Sequence, residues 1–428
     1  MDINEYLRHA MLQYSSGQFN KAKDIYIQVL QVSPDNPFAL HFYGLVVHKE
    51  GQTDAAIKLI KKAIIQKPDY VEALYNLGII FQKNNKLDDA ISAYSNAIKS
   101  NPDYANAYFK LSLLFATQGK YREAIGGYYR GLALRPNYAD AYFKLGRIFG
   151  LLGNFDYAIL NYRKFLELEP DQAEAYNNIG NALREQGKSK EAILSYEKTL
   201  SINPNIQNAK HFLDALTGNT SDRAPRDYVE RIFNKYADSF EQHLVEKLSY
   251  KIPALFKMIV NDLGLSDKKF KNVIDLGCGT GLSGVQFRGL SENLVGVDLS
   301  KNMVLKAKEK NIYDELCVDD ILENLNRTTS DFDLFICTDV LAYFGDLTPV
   351  FQSIKKRCHA KALFLFSTEH TDHDDFILNN KGRYAHSTNY IHSISLNSGF
   401  RVLYSGQTDL RKEKDIWVMG GLYILQSV

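Results

Sequence analysis

Six prolines, Pro34, Pro68, Pro102, Pro136, Pro170 and Pro204, stand 34 residues apart through the first half of the chain. A spacing that regular commits this half to a repeated structural unit. Each proline sits in a similar turn (SPDN, KPDY, NPDY, RPNY, EPDQ, NPNI) and follows an apolar pattern of helical period. Proline has no N–H to donate and clashes with the carbonyl one turn back, so a helix stops there and the next begins beyond it. In the unit that starts at Val71, Leu74, Leu77, Gly78 and Phe81 share one helix, and Ala90, Tyr94 and Ala97 share the next. The unit is therefore a helical hairpin. Gly78, Gly146 and Gly180 on first helices and Ala90, Ala124, Ala158 and Ala192 on second helices let paired helices approach closely, which makes them packing positions rather than chemistry. His9 and Gln13 stand in the first unit where apolar residues would be usual, as on the outer face of a terminal repeat.

Spacing and residue types together resemble the tetratricopeptide repeat, with six units over roughly residues 3–206 and a closing helix at about 207–217. The array is assigned to residues 1–218 and a polar, turn-rich linker to 219–226. The resemblance implies a superhelix whose first helices line a groove for an extended peptide or protein segment. One register of those helices holds Tyr75, Phe109, Phe143 and Asn177; the next holds Asn76, Lys110, Lys144 and Asn178, with Arg147 three residues beyond Lys144. Tyr75, Phe109, Lys110, Phe143, Lys144 and Arg147 are candidate partner-binding residues, because a Lys/Arg pair can hold a carboxylate and amides can bond a peptide backbone. The alternative is that the aromatics pack between neighbouring helices and the lysines form a solvated face.

The balance of 51 Lys+Arg against 50 Asp+Glu leaves a formal charge of +1, without the basic excess of a phosphate-tracking nucleic-acid binder. No nucleic-acid partner is expected. The start of the chain lacks a basic stretch followed by an apolar run, and no apolar run reaches about 18 residues, so neither a leader nor a membrane span is expected. Cys278, Cys317, Cys337 and Cys358 lie in separate elements without C-x-x-C spacing. That argues against a structural metal site or a disulfide framework, and the expected location is the cytoplasm.

Beyond the linker a helical stretch runs from about Asp227 to Leu263, and then short β-rich runs alternate with helical ones. The runs are 272–277, 293–298, 315–318, 332–337, 362–367, 400–405 and 416–425. Such alternation makes a mostly parallel sheet covered by helices on both faces, which binds ligands beyond the carboxyl ends of its strands. The first run enters Asp275-Leu276-Gly277-Cys278-Gly279-Thr280-Gly281, an acid followed by a glycine-rich turn that opens a helix. Both dinucleotide-binding dehydrogenases and methyltransferases use such a turn. Leu282 stands where a dinucleotide fingerprint would carry its third glycine, and Asp275 suits a ligand whose amino-acid end bears an ammonium. The second run ends at Asp298, placed for two ribose hydroxyls, the third at Asp319-Asp320, and the fourth at Asp339.

Together DLGCGTG, VGVDLS and the later acids resemble class I S-adenosylmethionine-dependent methyltransferases over roughly residues 226–428, and the domain is assigned to 227–428. The resemblance implies an α/β Rossmann-like domain with a seven-stranded sheet whose last strand is antiparallel, following the all-α repeat superhelix. It implies S-adenosylmethionine as cofactor, with Asp275, Gly277, Gly279 and Gly281 around the methionine moiety, Asp298 on the ribose and Asp320 or Asp319 near the adenine. Asp339 and Tyr236, the latter on a lid helix, complete the expected cofactor site. The segments YADSFEQHL, DVLAYFGDL, GRYAHSTNYI and LRKEKD look like those of bacterial methyltransferases that carry tetratricopeptide repeats.

A base would be needed for a protonated amine or a phenol but not for a carboxylate acceptor. Glu369, Tyr384 and His386 are the catalytic candidates; His243, Tyr343, Arg383, Tyr390 and Arg411 are candidates for holding substrate. Arg383 and Arg411 are open to another reading, as ion pairs with Glu369 or Glu413. No Asn/Asp-Pro-Pro-Tyr/Phe loop follows the fourth run, which continues Thr338-Asp339-Val340-Leu341, so base and glutamine amides lose weight as acceptors. The leading expectation is methyl transfer to a protein or peptide recruited by the repeats. The alternatives are a small-molecule methyltransferase that uses the repeats for assembly, and a non-catalytic scaffold that binds the cofactor.

Overall fold

The computed structural model describes residues 2–266, 269–413 and 416–428. It separates into two compact units, Met1–Lys188 and Ser189–Val428.

The first unit is helical. Its hairpins are α1 (Ile3–Ser15) with α2 (Phe19–Val32), α3 (Pro37–Lys49) with α4 (Thr53–Gln66), α5 (Val71–Lys83) with α6 (Leu87–Ser100), α7 (Ala105–Thr117) with α8 (Tyr121–Leu134), and α9 (Ala139–Leu151) with α10 (Phe155–Leu168); α11 (Ala173–Glu185) comes next. The small residues act as the sequence requires. A Cβ on Gly78 would lie 2.6 Å from the Tyr94 ring, and one on Gly146 would lie 2.7 Å from the Tyr162 ring. The alanines Ala90, Ala124 and Ala158 are fully buried, and Tyr94 threads between helices to donate its hydroxyl to Gln82 at 3.0 Å. A buried polar relay also ties α3 to α5 and its N-cap: His41 Nδ1 lies 2.9 Å from the Tyr70 hydroxyl and its Nε2 lies 3.0 Å from Asn76.

The second unit opens with α12 (Ser189–Ile202) and α13 (Gln207–Thr217). Helix α13 packs on the turn around Gly382: His211 Nε2 meets the Gly382 carbonyl at 2.9 Å, and a Cβ on Gly382 would lie 2.5 Å from the Phe212 ring. Next come α14 (Arg226–Tyr236) and α15 (Ile252–Asp262). The continuous helix expected over 227–263 is broken between them by a short 3₁₀ turn at Ala237–Ser239 and a π turn at Gln242–Lys247. Ser249 there takes φ +54°, and Pro253 stands in the first turn of α15, where its missing N–H is no loss.

The sheet and its covering helices then run in the order β1 (Phe270–Leu276), α16 (Leu282–Phe287), β2 (Ser291–Asp298), α17 (Lys301–Glu309), β3 (Glu315–Val318), α18 (Ile321–Arg327), β4 (Phe332–Cys337), α19 (Thr348–Lys355), β5 (Cys358–His370), β6 (Phe376–Leu378), β7 (Tyr384–His386), α20 (Thr388–Asn397), β8 (Phe400–Glu413) and β9 (Ile416–Ser427). Strands β3, β2, β1, β4 and β5 lie side by side and parallel. Strand β9 runs antiparallel beside β5 and pairs with β8 on its other side. These are the seven strands expected, with the final one antiparallel. The short hairpin β6–β7 is an addition, attached to the end of β5 through Glu369 and His370.

Both faces of the sheet are covered, which is why its strands read as nearly continuous apolar runs. Ile274, Leu276, Phe335, Phe364 and Phe366 pack on one side with Val350, Phe351 and Ile391. Val273, Leu334, Leu363 and Leu365 pack on the other with Phe256, Val260 and Phe287.

Candidate active site

Strand β1 delivers the chain into a turn where Gly277, Gly279 and Gly281 take φ of +72°, +52° and +93°, conformations that side-chain-bearing residues rarely adopt. At Gly277 space matters as well, since a Cβ would lie 2.2 Å from Val340. Asp298, at the end of the neighbouring β2, holds this turn. One carboxylate oxygen accepts the Gly279 N–H and the other the Ser300 N–H, both at 2.8 Å. Each oxygen keeps a lone pair for a further donor. Burial pushes this carboxyl up to about 6, against the pull of the two N–H groups.

The turn floors a cleft at the carboxyl ends of the parallel strands. Gly277, Cys278, Gly279, Thr280, Asp298, Asp320 and Asp339 line it, and Phe233, Phe240, Leu244, Tyr250, Tyr343 and Phe344 supply aromatic and apolar walls. The Thr280 hydroxyl is buried there without a partner.

At the third strand the two acids part company. Asp320 lines the cleft; one of its oxygens caps α18 by accepting the Leu322 and Glu323 N–H groups at 3.0 and 3.4 Å, and the other accepts from Arg223 at 2.6 Å. Asp319 is turned to Arg327 and Asn324 and lies outside the cleft lining. Asp275 also lies outside that lining. Its side chain is buried, accepts the Tyr313 hydroxyl at 2.7 Å, and keeps its other oxygen without a partner. Burial outweighs the Tyr313 bond and brings its carboxyl up to about 7. Asp275, expected around the methionine moiety, thus sits on the face of β1 that packs towards the layer with Phe256 and Phe287.

Asp339 does line the cleft, at φ +59°, with its N–H donated to Ser367 at 2.9 Å. Arg411 grips its carboxylate, yet burial still raises the Asp339 carboxyl above its ordinary value. Arg411 is only 3% exposed and also binds Glu369 and Glu413. Arg383 completes the cluster, 2.7 Å from Glu369 and paired with Glu413. The ion-pair reading of Arg383 and Arg411 is the one the structure contains, and neither is positioned in the cleft.

The catalytic candidates lie outside the cleft lining, Glu369 on β5 and Tyr384 and His386 on β7, the second strand of a hairpin that the sequence does not reveal. Glu369 is in the ion cluster and accepts from Asn379 at 3.2 Å. Tyr384 is fully buried and bonds Ser221 at 2.7 Å. His386 is fully buried, with Nε2 at 2.9 Å from the Gly345 carbonyl, and burial lowers its pKa to about 4. Tyr390 bonds Asp346 and the Leu347 N–H. None of the four lines the cleft. Tyr236 and His243 pack edge to face at 5.3 Å, also outside the lining. Of the acceptor-side candidates Tyr343 lines the cleft. Phe233 and Tyr250 in the walls, and Arg223 and Arg226 from the linker, are site residues that the sequence does not single out. The signal available was the helical spacing of Val229, Phe233 and Phe240.

In the first unit the aromatic stripe is spent on packing. Tyr75 lies between Tyr94 and Tyr104, Phe109 stacks on Tyr138 at 4.2 Å, and Phe143 lies against Tyr162 and Phe165. Lys144 pairs with Asp140 at 3.6 Å; Lys110 is half-buried and Arg147 exposed. Phe143 also borders a concavity whose rim carries Asp140, Glu169 and Glu174.

Comparison with known proteins finds both kinds of domain. A family described as "Methyltransferase domain" matches residues 267–406. Tetratricopeptide-repeat families match residues 6–36, 44–85, 75–142, 146–183 and 173–206. The ubiquinone biosynthesis O-methyltransferase of Glaesserella parasuis serovar 5 is 30% identical over 106 residues, covering 23% of this chain and 45% of the relative, so the chain spans less than half of that protein's length. Among solved structures, the MamA protein is 29% identical over 41% of this chain and 96% of its own, with a TM-score of 0.38. YrrB, described as a TPR protein with an unusual peptide-binding site, is 17% identical over 44% and 96%, with a TM-score of 0.41. Among the described residues no helix is long and apolar enough to cross a membrane. The chain thus carries hairpin repeats that match tetratricopeptide-repeat families, followed by a doubly covered sheet with a glycine turn that matches a methyltransferase domain over residues 267–406.

Proposed function

We propose that the domain at 227–428 transfers a methyl group from S-adenosylmethionine to a protein or peptide captured by the array at 1–218, with 219–226 as the linker. The observation that carries the donor half is the meeting of Asp298 with the glycine turn in a cleft walled by aromatic side chains. The residues there fit the donor: a carboxylate with spare lone pairs for two ribose hydroxyls, a partnerless buried hydroxyl on Thr280, and Asp320 at the position for an adenine amino group. Gly277, Gly279 and Gly281 let backbone approach the amino-acid arm. Asp339 takes the ammonium in place of Asp275.

When bound, the donor supplies a methyl group already activated on a sulfonium, so the protein need only align the acceptor and keep water away. Phe233 packs edge to face against Tyr343 at 5.6 Å and against Phe240 at 6.1 Å, and these rings, with Tyr250, form the dry wall on the acceptor side. With Glu369, Tyr384 and His386 outside the cleft lining, transfer in this reading rests on alignment rather than on a histidine base.

Donor affinity is expected to rise with pH through about 6 and level off above it. The sign follows from Asp298, whose carboxyl sits at about 6 in the folded protein: protonated, it loses the charge that strengthens its bonds to the ribose. Calorimetry across pH 5–8 that gives a flat profile removes Asp298 from the donor site.

Methyl-labelled donor incubated with the protein and a lysate of cells that make it is expected to leave label in protein. A small-molecule acceptor is the second reading, favoured by the apolar aromatic wall and by the relative that is named for ubiquinone biosynthesis; label confined to small molecules selects it. For the array, the Lys110→Ala, Lys144→Ala, Arg147→Ala triple variant is expected to weaken capture of the labelled protein and leave donor affinity unchanged. An undiminished pull-down retires this basic stripe as the capture surface.

A further inference from the structure

We propose that Arg223, in the linker ahead of α14, is a donor-binding residue: its guanidinium plane forms a wall against which the adenine of the donor lies. The proposal rests on the donor reading above and adds to it a residue that lies outside the methyltransferase match at 267–406.

The linker at Arg223 is built into the domain rather than draped over it. Arg223 forms an antiparallel bridge with Phe344. The Ala224 N–H donates to the Tyr343 carbonyl at 2.9 Å, and the Gly345 N–H donates to Asp222 at 2.7 Å. Ser221 is anchored on the Tyr384 hydroxyl at 2.7 Å. The side chain is held as firmly as the backbone: the guanidinium bonds Asp320 at 2.6 Å and lies 5.3 Å from the centroid of the Phe344 ring. Even so, 38% of the side chain stays exposed, and it lines the cleft together with Asp298, Leu299, Asp320 and Ile321. Those are the residues at the carboxyl ends of β2 and β3, where the nucleoside half of the donor would sit.

Charge explains why an arginine fits there. A free cation would repel a donor that itself bears a sulfonium and an ammonium. Pairing with Asp320 cancels the charge and leaves a flat, weakly hydrated surface, which is what a guanidinium offers to an aromatic face. Leu299 and Ile321 provide apolar surface in the same part of the cleft. The bond also holds the Asp320 oxygen that is not used in capping α18, so that oxygen presents its remaining lone pair in a fixed direction.

The full-length chain with Arg223→Ala is expected to bind S-adenosylmethionine, S-adenosylhomocysteine and adenosine each about tenfold more weakly by calorimetry. The factor should be common to all three because Arg223 meets only the nucleoside they share. Arg223→Lys keeps the ion pair with Asp320 but not the plane, and is expected to recover little of the loss. Its ligand-free melting curve should match wild type, which a general loosening of the linker would not allow. Wild-type affinity in Arg223→Ala, or full recovery in Arg223→Lys, overturns the proposal, and Arg223→Lys decides alone if the alanine variant does not fold. Asp298→Ala is measured in parallel. If it loses donor binding while the Arg223 variants do not, only this inference fails; if it binds as wild type does, the donor reading falls and takes this inference with it.

Discussion

Asp298→Ala is expected to lower affinity for S-adenosylmethionine by at least a factor of about a hundred. Hydrogen bonds to a charged group contribute roughly 1.5–3 kcal/mol each, and two ribose hydroxyls lose theirs together, so the combined loss is roughly 3–6 kcal/mol. The same carboxylate holds the Gly279 and Ser300 N–H groups, so the alanine also releases the glycine turn. Asp298→Asn separates the two effects: it keeps the shape and one acceptor oxygen and is expected to fall between wild type and alanine. Isothermal calorimetry with the donor checks both, and undiminished affinity in the alanine variant refutes the assignment of this residue.

The largest expected effect on stability comes from Arg411. It reaches Asp339, Glu369 and Glu413 at once and is almost wholly buried. Removing one member of a buried ion cluster leaves charges without partners and typically costs about 3–5 kcal/mol. For a domain of this size Arg411→Met should then melt on the order of 10 °C lower. Acid titration gives an independent readout. Glu413 is drawn up by burial but held down at about 2 by Arg383, Lys381 and Arg411, from an ordinary value of 4.5. A carboxyl depressed in the folded state contributes stability that is fully present above its unfolded value and is lost as pH falls through its folded value. Wild type should therefore lose stability between about pH 4.5 and 2, and Arg411→Met should show a shallower loss over the same window. A melting temperature and an acid limb equal to wild type mean that the cluster does not hold the domain together.

Most of the architecture was legible because it is written in short-range patterns. The proline interval marks each hairpin turn, and the glycines beside Tyr94 and Tyr162 report a close approach of helices whatever the surroundings. The seven runs of the sheet announce themselves by apolar density, since both faces are buried. The floor of the cleft was legible too, because a glycine turn followed by Asp298 and Asp320 places polar groups at consecutive strand ends.

The acceptor side was not legible, for a physical reason visible at single residues. Glu369, Tyr384, His386 and Arg411 are the residue types that catalyse, and equally the types that satisfy one another when buried. Which of the two they do depends on partners 41 to 163 positions away: Gly345 for His386, Glu369 and Asp339 for Arg411, and Ser221 for Tyr384. The hairpin of β6 and β7, only three residues per strand, is too short to leave an alternating pattern. In the repeats the aromatic register stands out as a stripe, but whether Tyr75, Phe109 and Phe143 face a partner or a neighbouring helix depends on rings contributed by the following turn or by the other helix of the hairpin.

From its sequence alone, then, this chain is bound to be a row of helical hairpins followed by a parallel sheet with a carboxylate and a glycine turn at its open end. Periodicity and local turn chemistry suffice for that. Tertiary structure alone decided that Asp275 turns to Tyr313, that the acids and arginines of the β5–β8 region close on one another, and that Arg223 of the linker comes to lie beside Asp320. Each of these is a choice of partner for a polar group, made by burial and distance between segments remote in the chain, and no local pattern encodes it.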